Sequence, residues 1–526
     1  MRPLCLFVVA AVLLVAPGAR ASERVTVRVY PLVGNRPVER LAFGVNGAGF
    51  PGATLVRHGG NRITGFNWET GASHAGHDWR HQNDWYLADA LELRGPGKLI
   101  ESWVTSDRAR GAATLLSVPL AGYVAADADG PVAESDRAPS PRWERLAMRR
   151  PGPPLLAPDP HDGVVHLDEQ VRHLLRRFGT ADAGGVLAYA LDNEPALWPH
   201  THPRLHPLPT RANELLLRSI EAAEVITELD PGAQVFGPVL YGWAAHKNLQ
   251  GASDVDDSRT FSEAYLDAMS QASERAGRRL LHAFDMHWYP EVAADGERIT
   301  GGNTSPASAA ARTAAPRSLW DPSFEEDSWV ADDAGGAIAL VPRMQRLIDE
   351  QFPGTRLAIT EYHYGAPHHA SGGVAQVEAL ATFARLGVIA NYWPMGDDQS
   401  YVRAAFSMFL ADDDSGAHFG DTVVHATTSE RELSAAFASK DAADPDRLCV
   451  ILLNRSVDER LDANVLLSPG SGTIADLVAW RFDEHGSDLR RLRSGPVAEG
   501  EGFSDTLPPL SATLYVLRLE SSLPAR

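Results

Sequence analysis

Cysteine is nearly absent from this chain of 526 residues: there are two, Cys5 and Cys449. Cys5 falls in an N-terminal segment expected to be removed, which leaves Cys449 alone. No internal disulfide can then brace the fold, so stability must come from packing. Long apolar runs are as scarce. Leu4–Val15 is shorter than the roughly 20 residues a membrane span needs, and no later segment is apolar enough. With Arg2 before it and Ala19-Arg20-Ala21 after it, the run reads as a secretory signal over residues 1–21, cleaved after Ala21. The expected product is a secreted or periplasmic protein without a membrane span. A positive balance of charge is missing too. The formal net charge is −20, and loss of Arg2 and Arg20 with the signal makes it more negative still. That argues against nucleic acid and anionic membranes as partners and suits a neutral or cationic ligand. There is also no short-period repeat, no H-E-x-x-H and no G-x-S-x-G. Neither a solenoid, a zinc-protease site nor a serine-hydrolase site is signalled.

What is present is a globular composition, 44% hydrophobic, in a chain long enough for two domains. Short apolar runs recur at Leu41–Asn46, Thr54–Asn61, Thr114–Leu120, Val186–Glu194, Gln234–Leu240, Phe284–Pro290, Leu357–Tyr362 and Val388–Pro394. Helical patterns separate several of them. In Asp168–Gly179, Val171, Leu174, Leu175 and Phe178 fall on one face, acidic residues lead and Gly179 closes. About eight buried strands alternating with helices predict an α/β fold, a (β/α)8 barrel over residues 41–418. Two long loops, Asp127–Pro151 and Glu297–Trp329, follow the third and sixth runs, and the second should overhang the active face. From residue 419 to 526 the texture changes to short alternating runs with turn residues between them, which predicts a β-sandwich. Arg24–Tyr30, within residues 22–40, alternates in the same way and is expected to complete that sandwich.

Two carboxylates stand out against this frame. Val186–Trp198 reads V-L-A-Y-A-L-D-N-E-P-A-L-W, a strand that Pro195 stops, so Glu194 sits at its carboxyl end. Glu361 occupies the same position in L-A-I-T-E-Y. A barrel places its chemistry at that end of its strands. Two carboxyl groups about 5–5.5 Å apart there would cleave a glycosidic bond with retention, one protonating the leaving oxygen and one attacking the anomeric carbon. Glu194 takes the acid/base role and Glu361 the nucleophilic one. Asn193 is suited to hold a sugar hydroxyl, and His287 to bond the nucleophile or a hydroxyl. Aromatic residues near strand ends or on loops could stack on sugar faces: Trp68, Trp79, Trp85, Trp198, Trp288, Tyr289, Trp320, Trp329, Tyr362, Tyr364 and Trp393. His282, His363, His368 and His369 also lie near strand ends but lack metal-ligand spacing. Asp127-Ala128-Asp129-Gly130 sets hard oxygens on a turn, to which Glu69 could add a carboxylate for a structural cation. Asn303-Thr304-Ser305 and Asn454-Arg455-Ser456 match the glycosylation pattern.

Several segments together resemble glycoside hydrolase family 44, known for endoglucanases and xyloglucanases. They include G-G-N-R-I-T-G-F-N-W-E at Gly59–Glu69, H-A-G-H-D-W at His74–Trp79, L-D-N-E-P-A-L-W at Leu191–Trp198, F-D-M-H-W-Y-P-E at Phe284–Glu291 and I-T-E-Y-H-Y-G at Ile359–Gly365. The likeness covers nearly all of the mature chain and departs at Gly65, Phe66 and His74. It implies a barrel joined to a β-sandwich and retaining, endo-acting hydrolysis of β-1,4-glucosidic bonds, with Glu194 as acid/base and Glu361 as nucleophile. It also implies a bound structural calcium, with no cofactor for catalysis. The expected partner is a neutral polysaccharide, xyloglucan or a cellulose-like β-glucan, and the expected state a monomer. Two other readings compete: a polysaccharide-binding protein on a barrel without activity, and a transglycosylase using the same site.

Overall fold

The computed structural model describes residues 22–47, 50–153, 157–256, 258–410, 416–496 and 502–520. The signal over residues 1–21 lies outside them. Among these residues no helix is long and apolar enough to cross a membrane.

Eight parallel strands close into a barrel: Gly44–Asn46, Leu55–His58, Ala113–Val118, Ala188–Leu191, Gln234–Leu240, Ala283–Met286, Arg356–Tyr362 and Ile389–Tyr392. Each falls within or overlaps one of the eight apolar runs. The runs are continuous rather than alternating because both strand faces are buried. Leu55, Leu115, Ala188, Ala190, Phe236, Val239, Ala283, Ala358 and Ile389 fill the interior, and a larger apolar cluster lies between strands and helices. The helices end where their sequences direct. Phe261–Ala276 starts at a Thr260/Glu263 capping box and stops at Gly277, whose φ is +66°. Leu167–Phe178 stops at Gly179.

The second domain is a sheet-rich sandwich. One set of strands runs in the order Gly486–Pro496, Thr473–Asp483, Ser511–Glu520, Arg447–Asn454, Ser434–Lys440 and Thr422–Thr428. Glu23–Tyr30 pairs antiparallel with Thr422–Thr428 and parallel with Leu461–Leu467, which in turn pairs with Gly502–Leu507. Val25, Val27, Val29, Val450, Val465, Leu477 and Tyr515 are among the residues of the core so formed.

The loop Glu297–Trp329 departs from its expected role. Much of it is helical, over Pro306–Ala314 and Ala315–Leu319, and it packs on helix Ala370–Leu386 rather than over the barrel mouth. Buried Arg312 holds it there by donating to the carbonyls of Ile299, Asn303 and Tyr364. The segment also reaches the sandwich, where Thr313 donates to the Arg455 carbonyl and Arg317 to Glu432.

The two domains share a buried ion pair. Arg455, from the sandwich, donates to both oxygens of Glu378 on helix Ala370–Leu386 at 2.8 and 2.5 Å, with exposures of 3% and 0%. Removing one partner strands the other charge out of water, which costs about 3–5 kcal/mol. Arg455→Met should lower the midpoint of thermal unfolding sharply. Glu378→Gln combined with Arg455→Met should cost less than the two changes separately, and calorimetry of the three variants checks this.

Candidate active site

Glu194 and Glu361 meet at the carboxyl end of the barrel. Glu194 follows the fourth strand in a turn whose residues Asp192 and Glu194 both have left-handed backbones, φ +67° and +47°. Such conformations persist in non-glycine residues only where the surroundings enforce them. Here Asp192 supplies the fixture. Its buried carboxylate accepts from Thr64 Oγ1 (2.6 Å), the Asn193 amide (2.7 Å) and Trp198 Nε1 (3.3 Å), and also from the Leu120 amide. The Glu194 amide in turn donates to the Val239 carbonyl at 3.0 Å. Glu361 is the last residue but one of the seventh strand, and its carbonyl accepts from the Trp288 amide at 2.9 Å.

One oxygen of each carboxylate lies within 4.8 Å of the other and of a His287 ring nitrogen. His287 Nδ1 is 2.8 Å from Glu194 Oε1 and 3.5 Å from Glu361 Oε2. Tyr289 donates its hydroxyl to Glu361 Oε2 at 2.8 Å. Arg57 donates to Glu361 Oε1 at 2.6 Å, to Asn46 Oδ1 at 3.0 Å and to Asn193 Oδ1 at 2.8 Å. Burial alone would raise the pKa of Glu361. The charges of His287 and Arg57, with the bonds from Tyr289 and Arg57, outweigh burial and hold it below the ordinary carboxyl value. For His287, burial works against the charged form, but Glu361 and Glu194 prevail and raise its pKa.

The pair opens into a cavity of about 890 Å³, lined by Gly60, Arg62, Trp79, Asp84, Tyr86, Asn193, Tyr289 and Trp393 among others. The Trp393 ring lies on Gly60, where an added Cβ would meet it at 2.7 Å and where φ is already +86°. Trp79 and Tyr86 stand well exposed farther along, held by Arg80 and Arg62 against their faces.

Of the residues expected to bind substrate, Asn193, Tyr289 and Trp393 line the cavity, and His287 lies behind it between the carboxylates. Four do not. Trp68 is buried in the core beside His173, and Tyr362 is buried with its hydroxyl on Gln376. Trp320 lies under Arg385 with its indole on Glu378, and Trp329 is exposed outside the groove at the start of helix Trp329–Ala334. Apolar rings at strand ends serve packing as readily as binding, and sequence position does not separate the two. Arg57 was missed, although a lone charge inside the apolar run Thr54–Asn61 was a usable signal. The departures at Gly65 and His74 prove linked: a Cβ on residue 65 would meet the His74 Cβ at 2.6 Å.

The expected cation ligands do not gather as a set. Asp127 is paired with Arg142 at 2.6 Å, and Asp129 is exposed. Glu69 is buried elsewhere with neither oxygen hydrogen-bonded, and its pKa is pushed up to about 8 by burial and by Glu144, Glu169 and Asp162. Glu169 Oε2 is likewise buried without a hydrogen bond, with His166 Nδ1 3.6 Å away, while its Oε1 is paired with Arg150 at 3.3 Å. Orphaned carboxylate oxygens facing further acids fit a hard cation of the calcium type. Glu169 read as a helix-leading acid in the sequence, but its side chain turns inward. As for the glycosylation patterns, the Asn454 amide is buried and donates to three carbonyls, so it is closed to modification in the fold.

Paired strand-end carboxylates in an open cavity of a parallel barrel are the arrangement of a glycosidase. The family model of glycoside hydrolase family 44 matches residues 72–292. Endoglucanase A of Paenibacillus lautus is 40% identical over 480 residues, covering 89% of this chain and 68% of that protein. Among solved structures, the family 44 xyloglucanase of Paenibacillus polymyxa with xyloglucan aligns with a TM-score of 0.91 at 39% identity, over 95% of this chain and all of that one. The family 44 endoglucanase of Clostridium thermocellum aligns with a TM-score of 0.89 at 36% identity, over 94% and all of the respective chains. The chain belongs to glycoside hydrolase family 44. It is an endo-acting glycoside hydrolase.

Because the Tyr289 bond favours ionised Glu361, its loss should raise the pKa of that group. Tyr289→Phe should therefore move the acidic limb of the kcat/KM profile to higher pH. A charge-assisted hydrogen bond contributes about 1.5–3 kcal/mol, so kcat/KM should also fall about 10- to 100-fold. A pH–rate series on wild type and variant measures both.

Proposed function

We propose that the enzyme is secreted and hydrolyses internal β-1,4-glucosidic bonds of xyloglucan or a cellulose-like β-glucan with retention of configuration. Glu194 is the acid/base and Glu361 the nucleophile. The observation that carries this reading is the approach of the two carboxylates to within 4.8 Å. Oxygens that close accord with a retaining pair, about 5–5.5 Å apart, rather than with an inverting pair, about 6.5–9.5 Å apart, which must hold a water between them. Arg57, His287 and Tyr289 keep Glu361 ionised and therefore nucleophilic. Protonation by Glu194 releases the leaving sugar, and the same group then draws a proton from the water that resolves the glycosyl-enzyme ester. The xyloglucan held by the Paenibacillus polymyxa relative supports the substrate class, as do the exposed rings of Trp79 and Tyr86 in the cavity. The negative charge of the chain fits a neutral glucan. Export rests on the signal over residues 1–21, and an exported protein that retained those residues would contradict it.

Glu194→Gln should lower kcat on xyloglucan about 10²–10⁴-fold. Glu361→Gln should abolish turnover. Proton NMR of fresh wild-type product should show the β anomer first. Full activity in either variant would overturn its role, and the α anomer first would overturn retention. Alongside this, a calcium-type cation beside the buried carboxylate of Glu69 would offset the repulsion it feels from Glu144, Glu169 and Asp162. Chelation should then lower the unfolding midpoint and added calcium restore it; an unchanged midpoint would count against the site.

A further inference from the structure

We propose that a cavity between the barrel and the sandwich binds a small monocarboxylate with an apolar body. The cavity encloses about 210 Å³. Helix Ala370–Leu386 contributes Ala381, Arg385 and Leu386, the sandwich contributes Phe419 and Phe437, and Arg36 enters from the segment before the first barrel strand. Apolar side chains share the walls with two guanidinium groups and His425. Arg385 Nε is buried without a hydrogen-bond partner. Glu378, the carboxylate that attracts Arg385, is already held through both oxygens by Arg455. The Arg385 guanidinium lies over the Trp320 ring at 5.1 Å, which holds it in place while Nε–H still lacks an acceptor.

A chain with 68 acidic and 48 basic side chains could readily supply a counter-ion here. It supplies a second arginine instead. Two like charges beside one cavity, one of them largely removed from water, are costly without an anion. A carboxylate matches the fork of a guanidinium through two parallel hydrogen bonds. An inorganic anion would leave the apolar part of the lining, Leu386, Phe419 and Phe437 among it, against water, and a neutral ligand would leave the arginines without an anion. An acid such as benzoate satisfies both demands. The lining includes neither Glu194 nor Glu361. A ligand there joins a barrel helix to the sandwich and acts on the domain junction rather than on turnover.

The test titrates the full mature enzyme with sodium benzoate at constant ionic strength, by calorimetry and by thermal unfolding. Benzamide, acetate and inorganic phosphate serve as comparison probes. Benzoate should bind at one site and raise the unfolding midpoint, while benzamide does neither and acetate and phosphate bind at least tenfold more weakly. Arg385→Gln and Arg36→Gln should each weaken benzoate at least tenfold and leave hydrolysis of xyloglucan unchanged. Should Arg385→Gln fail to fold, Arg36→Gln, whose side chain is exposed, decides alone. Absence of saturable benzoate binding would overturn the proposal, as would benzoate affinity unchanged in the variants. Phosphate binding as tight as benzoate would overturn the requirement for an apolar body.

Discussion

An ionised carboxylate buried at the mouth of the barrel is the constraint around which the molecule is arranged. Glu361 is almost wholly shielded from water, which on its own would neutralise it. Its charge survives because Arg57 reaches it from the second strand, while His287 and Tyr289 reach it from the segment after the sixth. Closure of the barrel brings those strands to one point, so the fold and the charge state are not separable properties. Arg57 also holds Asn193, the neighbour of Glu194, so one guanidinium fixes elements on both sides of the reacting gap. Such preorganised charge, set in place before substrate arrives, is the larger part of what an active site contributes.

Outside this centre the same economy recurs with different partners. Asp192 never faces the groove, yet its four hydrogen bonds hold the turn that aims Glu194. Glu378 and Arg455 do for the domain junction what Glu361 and Arg57 do for the catalytic mouth. Each is a buried charge whose partner comes from a distant part of the chain. In both pairs the buried charge is tolerated because an opposite charge meets it through direct hydrogen bonds.

The barrel was legible because parallel strands covered on both faces must be continuous apolar runs, and all eight were found. The two glutamates were legible because Pro195 and the strand ends fixed their place. In the sandwich the alternating runs Leu433–Ala438, Leu448–Asn454, Ala463–Leu467, Ala475–Phe482 and Ala512–Leu519 were legible, whereas the strands Thr422–Thr428, Gly486–Pro496 and Gly502–Leu507 were not. Gly486–Pro496 is an edge strand, where charge guards against pairing with other chains, so its Arg490 and Arg491 masked it as a loop. Among the aromatic residues, Trp68, Tyr362 and Trp320 went to packing, whereas Trp79 remained in the groove. Nothing local distinguishes these rings, because their roles are set by which loop folds beside which strand. The pairing of Asp127 with Arg142, fifteen residues away, was hidden for a similar reason.

The parallel pairing of Glu23–Tyr30 with Leu461–Leu467 has a kinetic side. During synthesis this strand emerges hundreds of residues before either of its neighbours, and it cannot reach its final place until the last fifth of the polypeptide is available. Contacts so remote in sequence form slowly. The sandwich therefore cannot close on a fragment that lacks residues 422–467, and the oldest strand of the chain is among the last to find its partners.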